Sequence, residues 1–187
     1  MSLLPEFQIG WWNGWWYPVV FGLISLGLMV AYRPRAFGKR LVRLPPFSSS
    51  VERILSMASI FLFGRGMIIY SVFITMKRTT IWFYLGNAVF LLGLAIYTAA
   101  MVNFATTPSN LPVVKGIYRF SRHPMQLISI VMWIGVGIAT MSWVILLACG
   151  IQIFLSGPFL IAQERFCLDT YGETYKAYMR GTPRYFW

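Results

Sequence analysis

The residues able to do chemistry in this chain are few and sit close together. Its only histidine, His123, lies between Arg122 and Pro124 in the stretch GIYRFSRHPMQ, Gly116 to Gln126. Glu164, one of five acids, follows Gln163 further along. A lone imidazole with no second His or nearby Cys is a poor metal site, because zinc draws on three or four such ligands, and no metal is expected. With no nucleophile beside it, the ring is also a poor member of a hydrolase triad. Two readings of the triplet remain. Proline suits the first turn of a helix and restricts the residue before it. The triplet therefore either starts a helix, the ring satisfying backbone groups, or sets an imidazole and a guanidinium at a helix mouth for a ligand. Glu164 divides in the same way: it is a boundary ion pair with Arg165 or Arg122, or a carboxylate that receives a cationic ligand group.

Three further features surround these residues. Asn103 precedes a connector rich in Pro and Asn, Thr107 to Pro112, which includes Asn110. Tyr171, Tyr175 and Tyr178 have the i, i+4, i+7 spacing of one helical stripe, with Leu168 and Glu164 above them and Gly172 as a possible break. Such a stripe is also the ordinary packing face of an amphipathic tail. Arg65, flanked by two glycines within an apolar run, needs a cavity or partner if it lies in lipid.

These residues must be positioned by an apolar scaffold. The 187-residue chain is 58% hydrophobic and 11% charged, less than half the charged share of a soluble domain. The deficit is made up by eight Trp, ten Tyr and fifteen Phe, residues that suit lipid and its boundary. The composition implies an integral membrane protein in a lipid bilayer. The net charge of +11 lies between apolar runs and not on a soluble face, so no nucleic-acid partner is expected. Cys149 and Cys167 give no support for a mutual disulfide, and no cleavable signal is evident.

Five runs are candidate crossings, Trp15–Tyr32, Ile54–Thr75, Ile81–Phe104, Met125–Thr140 and Trp143–Ala162, and all but the slightly short Met125–Thr140 reach the spanning length. The last two, separated by Met141 and Ser142, read as a tight helical hairpin across the membrane, with a buried re-entrant hairpin as the alternative. Basic residues set the orientation. Six fall in the first loop (Arg33, Arg35, Lys39, Arg40, Arg43, Arg53), three before the fourth run (Lys115, Arg119, Arg122) and four in the tail (Arg165, Lys176, Arg180, Arg184). Only Lys77 and Arg78 lie on the other side. The expectation is an all-α, multi-pass protein of the cell inner membrane or endoplasmic reticulum. Its N-terminus is outside, its helical tail is cytoplasmic, and residues 1–187 form a single membrane domain.

The order G-I-Y-x-x-x-R-H-P, a two-helix hairpin, an acid and then Y-G-x-x-Y-x-x-Y-x-x-x-x-P-R resembles the isoprenylcysteine carboxyl methyltransferases and the related phospholipid methyltransferases. The likeness covers Asn103 to the C-terminus, and the helices of 1–102 carry no matching motif. It implies a catalytic module, 103–187, that binds S-adenosylmethionine at the cytoplasmic helix ends. Asn103 stands where the family often has a cofactor-contacting amide. Asn110, Leu111, Pro112 and Val113 match the segment lining the cofactor, Tyr118 its aromatic, and His123 and Pro124 the histidine-proline pair. The chain departs at Gln126, where the family commonly has Tyr, and at Gln163-Glu164, where it has two glutamates.

Methyl transfer is an in-line displacement, so catalysis is chiefly alignment of donor and acceptor. The sulfonium and amino cations of the donor suit Glu164 and aromatic faces, and the forked donors of Arg122 suit a carboxylate. Arg122 and Glu164 are the candidate catalytic residues. The methyl acceptor is lipophilic, of the isoprenylcysteine carboxylate or phospholipid amine type. A carboxylate needs no base, whereas an amine must lose a proton, for which His123 and Glu164 are the candidates. The rival expectation is an NADPH-dependent membrane reductase of sterol-like lipids. Those enzymes resemble the same C-terminal pattern, including a Cys shortly before Y-G.

Overall fold

The computed structural model describes residues 9–32 and 44–185. Arg33, Arg35, Lys39, Arg40 and Arg43, which carry much of the expected orientation, lie outside them. The described residues are helical, without a β-strand, and one isolated bridge joins Asn13 to Thr75. In chain order the helices are α1 (Trp16–Ala31), α2 (Ser50–Val72, with a π-helical turn over Phe61–Gly66), α3 (Ile81–Ala105), α4 (Pro124–Ala139), α5 (Trp143–Tyr171) and α6 (Glu173–Gly181). A 3₁₀ turn at Gly116–Arg119 precedes α4. Among the described residues, α2, α3 and α5 are long and apolar enough to cross a membrane, while α1 and α4 are apolar but have 16 residues each.

Two boundaries differ from the sequence expectation. α2 begins at Ser50 and not Ile54, because Ser49 caps it by accepting from the Glu52 amide at 3.1 Å. The Glu52 carboxylate returns to accept from the Ser48 amide and hydroxyl, a variant of the capping box. α5 does not stop at Ala162. Gln163, Glu164 and Arg165 are good helix formers, and nothing interrupts them until Gly172, whose φ of +55° ends the helix. The tyrosine stripe is accordingly split, with Tyr171 closing α5 and Tyr175 and Tyr178 on α6. Arg65 lies on the π-helical turn and is exposed, away from the polar cluster near the ends of α3–α5.

Lipid solvates apolar side chains as well as a protein interior does, so helices in membranes associate through close packing at small residues. The α3–α4 seam is built that way. A Cβ on Gly86 would collide with the Gly135 carbonyl and the Ala139 amide, and one on Gly135 would come within 2.8 Å of the Gly86 carbonyl. Met132 fills the space beside Gly93. At the opposite end of the bundle from the polar cluster, the segment before α1 is bonded to the end of α2. The Met76 amide donates to Trp12 and the Gly14 amide to Ile74, both at 2.8 Å.

Gly86→Ala should therefore lower stability by about 1–3 kcal/mol, the usual effect of overpacking, read as earlier thermal unfolding in detergent. Gly150→Ala, where a Cβ meets open space, should leave the transition in place.

Candidate active site

The site grows from the loop between α3 and α4. Gly116 adopts φ +61°, and a Cβ there would run into the Asn103 side chain, so Asn103 packs behind the loop. The chain then makes its 3₁₀ turn and is pinned to the tail. The Arg122 amide donates to the Pro183 carbonyl at 3.0 Å, and the Ser121 hydroxyl donates to the Arg184 carbonyl at 3.0 Å. Tyr178 donates to the Tyr118 carbonyl at 2.6 Å. Pro124 takes the first position of α4, as its fixed φ favours. His123 stands at the N-cap, yet its ring caps nothing. The ring is directed to α5, where Nε2 lies 3.1 Å from Glu164 Oε1.

Glu164 is 3% exposed and continues the buried i+4 row of Gln152, Ser156 and Leu160 on α5. A carboxylate so placed must be paired, and three bases converge on it. Arg184 approaches in fork geometry, Nη2 at 2.7 Å and Nε at 3.0 Å; His123 stands at 3.1 Å and Arg122 Nη1 at 3.2 Å. Arg165 is not a partner: it binds Glu52 at 3.1 Å and so ties α5 to α2. Arg122 is only partly satisfied. Its Nη1 is near Glu164 but off line for a hydrogen bond, and its Nε, equally buried, has no partner.

Burial holds His123 below its usual pKa range, against the hydrogen bond and charge of Glu164, with Arg122 and Arg184 adding to the downward push. The hydrogen bond to Glu164 holds Arg184 above its ordinary value. Burial raises Tyr175 and Tyr178, so both stay phenols.

A cleft of about 280 Å³ opens on this cluster, walled by α3, the loop, α4, α5 and α6. Of the residues singled out from sequence, Pro112, Val113, Tyr118, Arg122, His123, Pro124, Gln126 and Gln163 line it. Asn103, Asn110, Leu111 and Glu164 are not on its wall. Eight aromatics are, and four of these, Tyr97, Phe104, Phe159 and Phe166, carried no sequence signal of their own. Phe159, Gln163, Phe166, Cys167 and Tyr171 share one face of α5, a stripe that becomes visible once the helix is taken to its full length. The groups present fit S-adenosylmethionine. Aromatic faces suit a sulfonium, and the orphaned donor of Arg122 calls for an anion such as a carboxylate.

Residues 81–174 match the family model of the phospholipid methyltransferases. The match takes in α3 as well as the loop, α4 and α5, and so begins earlier in the chain than the motif that starts at Asn103. No curated protein matches the chain significantly.

Removing the shared carboxylate leaves the buried Arg122 guanidinium unpaired beside the half-exposed Arg184. Glu164→Ala should destabilise the protein by about 3–5 kcal/mol, measured by thermal unfolding in detergent. Glu52→Ala, which frees the half-exposed Arg165, should cost much less.

Proposed function

The chain belongs to the phospholipid methyltransferase family, and from that premise we propose that it transfers a methyl group from S-adenosylmethionine to a lipophilic acceptor in the cleft between α3 and α6. The observation that carries the reading is the pairing of an aromatic wall with a buried guanidinium whose Nε is unsatisfied. When bound, the donor supplies an activated methyl group, and the chain supplies alignment and the exclusion of water. Tyr118, Tyr175 and Tyr178 offer π-faces to its cation. Arg122 holds an anionic group, the donor carboxylate or an acid group of the acceptor. Gln126 and Gln163 line the cleft as neutral amides where relatives commonly carry Tyr and Glu. Glu164 acts from behind the wall, orienting Arg122 and His123.

The acceptor is of the phospholipid amine or isoprenylcysteine carboxylate type. A nicotinamide cofactor with a 2′-phosphate would call for several cations, yet Arg122 is the only arginine or lysine lining the cleft among the described residues. The reductase reading is therefore set aside.

The same reading makes residues 1–187 one membrane domain with 103–187 as its catalytic module. It takes all five apolar helices as crossings, α4 and α5 as a hairpin, the N-terminus outside and the cleft at the cytoplasmic face. Tagging each terminus and testing protease access in right-side-out sealed vesicles, whose cytoplasmic face is inside, should protect the C-terminal tag. An outside C-terminus would move the cleft away from the cytosolic cofactor supply.

Calorimetry should show S-adenosylmethionine binding to the purified protein, and no binding would refute the proposal. Lysine at position 122 keeps the charge and loses the fork. Arg122→Lys should cut kcat/KM about tenfold or more with the fold intact, a loss of at least one hydrogen bond to a charged group.

A further inference from the structure

The polar cluster holds one group that the alignment of donor and acceptor does not use. A carboxylate accepts hydrogen bonds and cannot donate them, so the contact between His123 Nε2 and Glu164 Oε1 at 3.1 Å places the imidazole hydrogen on Nε2. A neutral ring carries a single hydrogen, and burial favours the neutral ring. Nδ1 is left with its lone pair, on a residue that lines the cleft. The backbone holds the ring in place from both sides. The His123 amide donates to the Ser121 hydroxyl at 3.2 Å, and its carbonyl accepts from Leu127 at 3.2 Å as α4 begins.

We propose that His123 Nδ1 is the proton acceptor of this site, acting on an amine acceptor, with Glu164 as the positioning residue that fixes the ring's tautomer. The inference rests on the methyl-transfer reading and narrows its acceptor to an amine, because a carboxylate arrives with its nucleophilic lone pair free. Glu164 itself is a poor base. Its two oxygens already receive Arg184, His123 and Arg122, and it does not line the cleft. In the step, an ammonium N–H bond of the acceptor breaks and the proton goes to Nδ1. The freed nitrogen lone pair forms a bond to the donor methyl carbon as the carbon–sulfur bond breaks, leaving a neutral thioether and a methylated ammonium. The imidazolium, stabilised by Glu164, then returns its proton to solvent. Arg122 and Arg184 are the other charged groups acting on the ring, and the other titratable groups lining the cleft are Tyr97 of α3, Tyr118 of the loop, Cys167 and Tyr171 of α5, and Tyr175 and Tyr178 of α6.

Because the chain has one histidine, ¹⁵N-histidine labelling gives a single imidazole to follow in the free protein. Its spectrum near pH 7.5 should show hydrogen on Nε2 and a bare Nδ1. A ring with hydrogen on Nδ1 would overturn the assignment, whatever the acceptor. Glutamine at 123 keeps a donor toward Glu164 and has no basic atom. With phosphatidylethanolamine in mixed micelles and saturating S-adenosylmethionine, His123→Gln should lose about a hundredfold in kcat, the low end of general-base contributions. Its calorimetric affinity for S-adenosylmethionine should stay near that of the unmodified protein, and its rate should lose the rise with pH through the imidazole titration. If kcat is unchanged and only cofactor affinity falls, His123 is a binding contact and not a base. If the unmodified protein fails to bind S-adenosylmethionine, the methyl-transfer reading fails first, and calorimetry alone distinguishes that case.

Discussion

The structure around the cleft depends on one buried carboxylate. Arg122, His123 and Arg184 come from the α3–α4 loop and the tail, and nothing local in the chain would bring them together. Glu164 does so from α5, because Arg122 would otherwise be an unpaired buried charge repelled by the half-exposed Arg184. With His123 neutral, the cluster carries two positive charges against one negative. The surplus lies on Arg122, which lines the cleft and keeps a buried donor without a partner. The same interaction thus docks the tail, closes the wall and leaves the cleft a single cationic group.

That arrangement requires α4 to start in a fixed place. The glycine seam between α3 and α4 sets the axial position of α4 to within the tolerance of backbone contact, far tighter than large side chains would impose. Pro124 begins the helix at its first turn, so the position of α4 becomes the position of His123. Asn103, on the last turn of α3, packs against Gly116 and transmits the same alignment to the loop. Its effect on the cleft is exerted through the loop, since its side chain is absent from the wall.

What could be read in the sequence follows from what is local. Apolar run length located α1 to α4 and the start of α5 within a few residues, and the Pro, His and Arg types marked the loop, because these properties belong to neighbouring residues. The partners of Glu164 were not local. Arg165 is adjacent in sequence but projects to the other side of α5 and meets Glu52, whereas Arg184, counted only among the tail's basic residues, makes the closest contact. The aromatics Tyr97, Phe104, Phe159 and Phe166 were hidden for a different reason. In a chain with fifteen Phe and ten Tyr, aromatic residues at helical spacing are the background, and only their convergence on one cleft distinguishes them. The apolar run gave only the first part of α5, because polar residues follow Ala162; the rest was legible in the helical spacing of Glu164, Leu168 and Tyr171 and in the break at Gly172.

The neutral state of His123 also determines how the site responds to acid. The folded ring titrates below its unfolded value, so between the two values the unfolded chain binds more protons than the folded one. Stability then rises with pH across that window and is complete above about 6.5, the ordinary imidazole value. Acid charges the ring beside Arg122 and Arg184, adding a third positive group around one carboxylate. Charging the ring also removes the lone pair of Nδ1. Loss of the proposed base and loosening of the tail are therefore coupled through one proton, on the imidazole of the cluster.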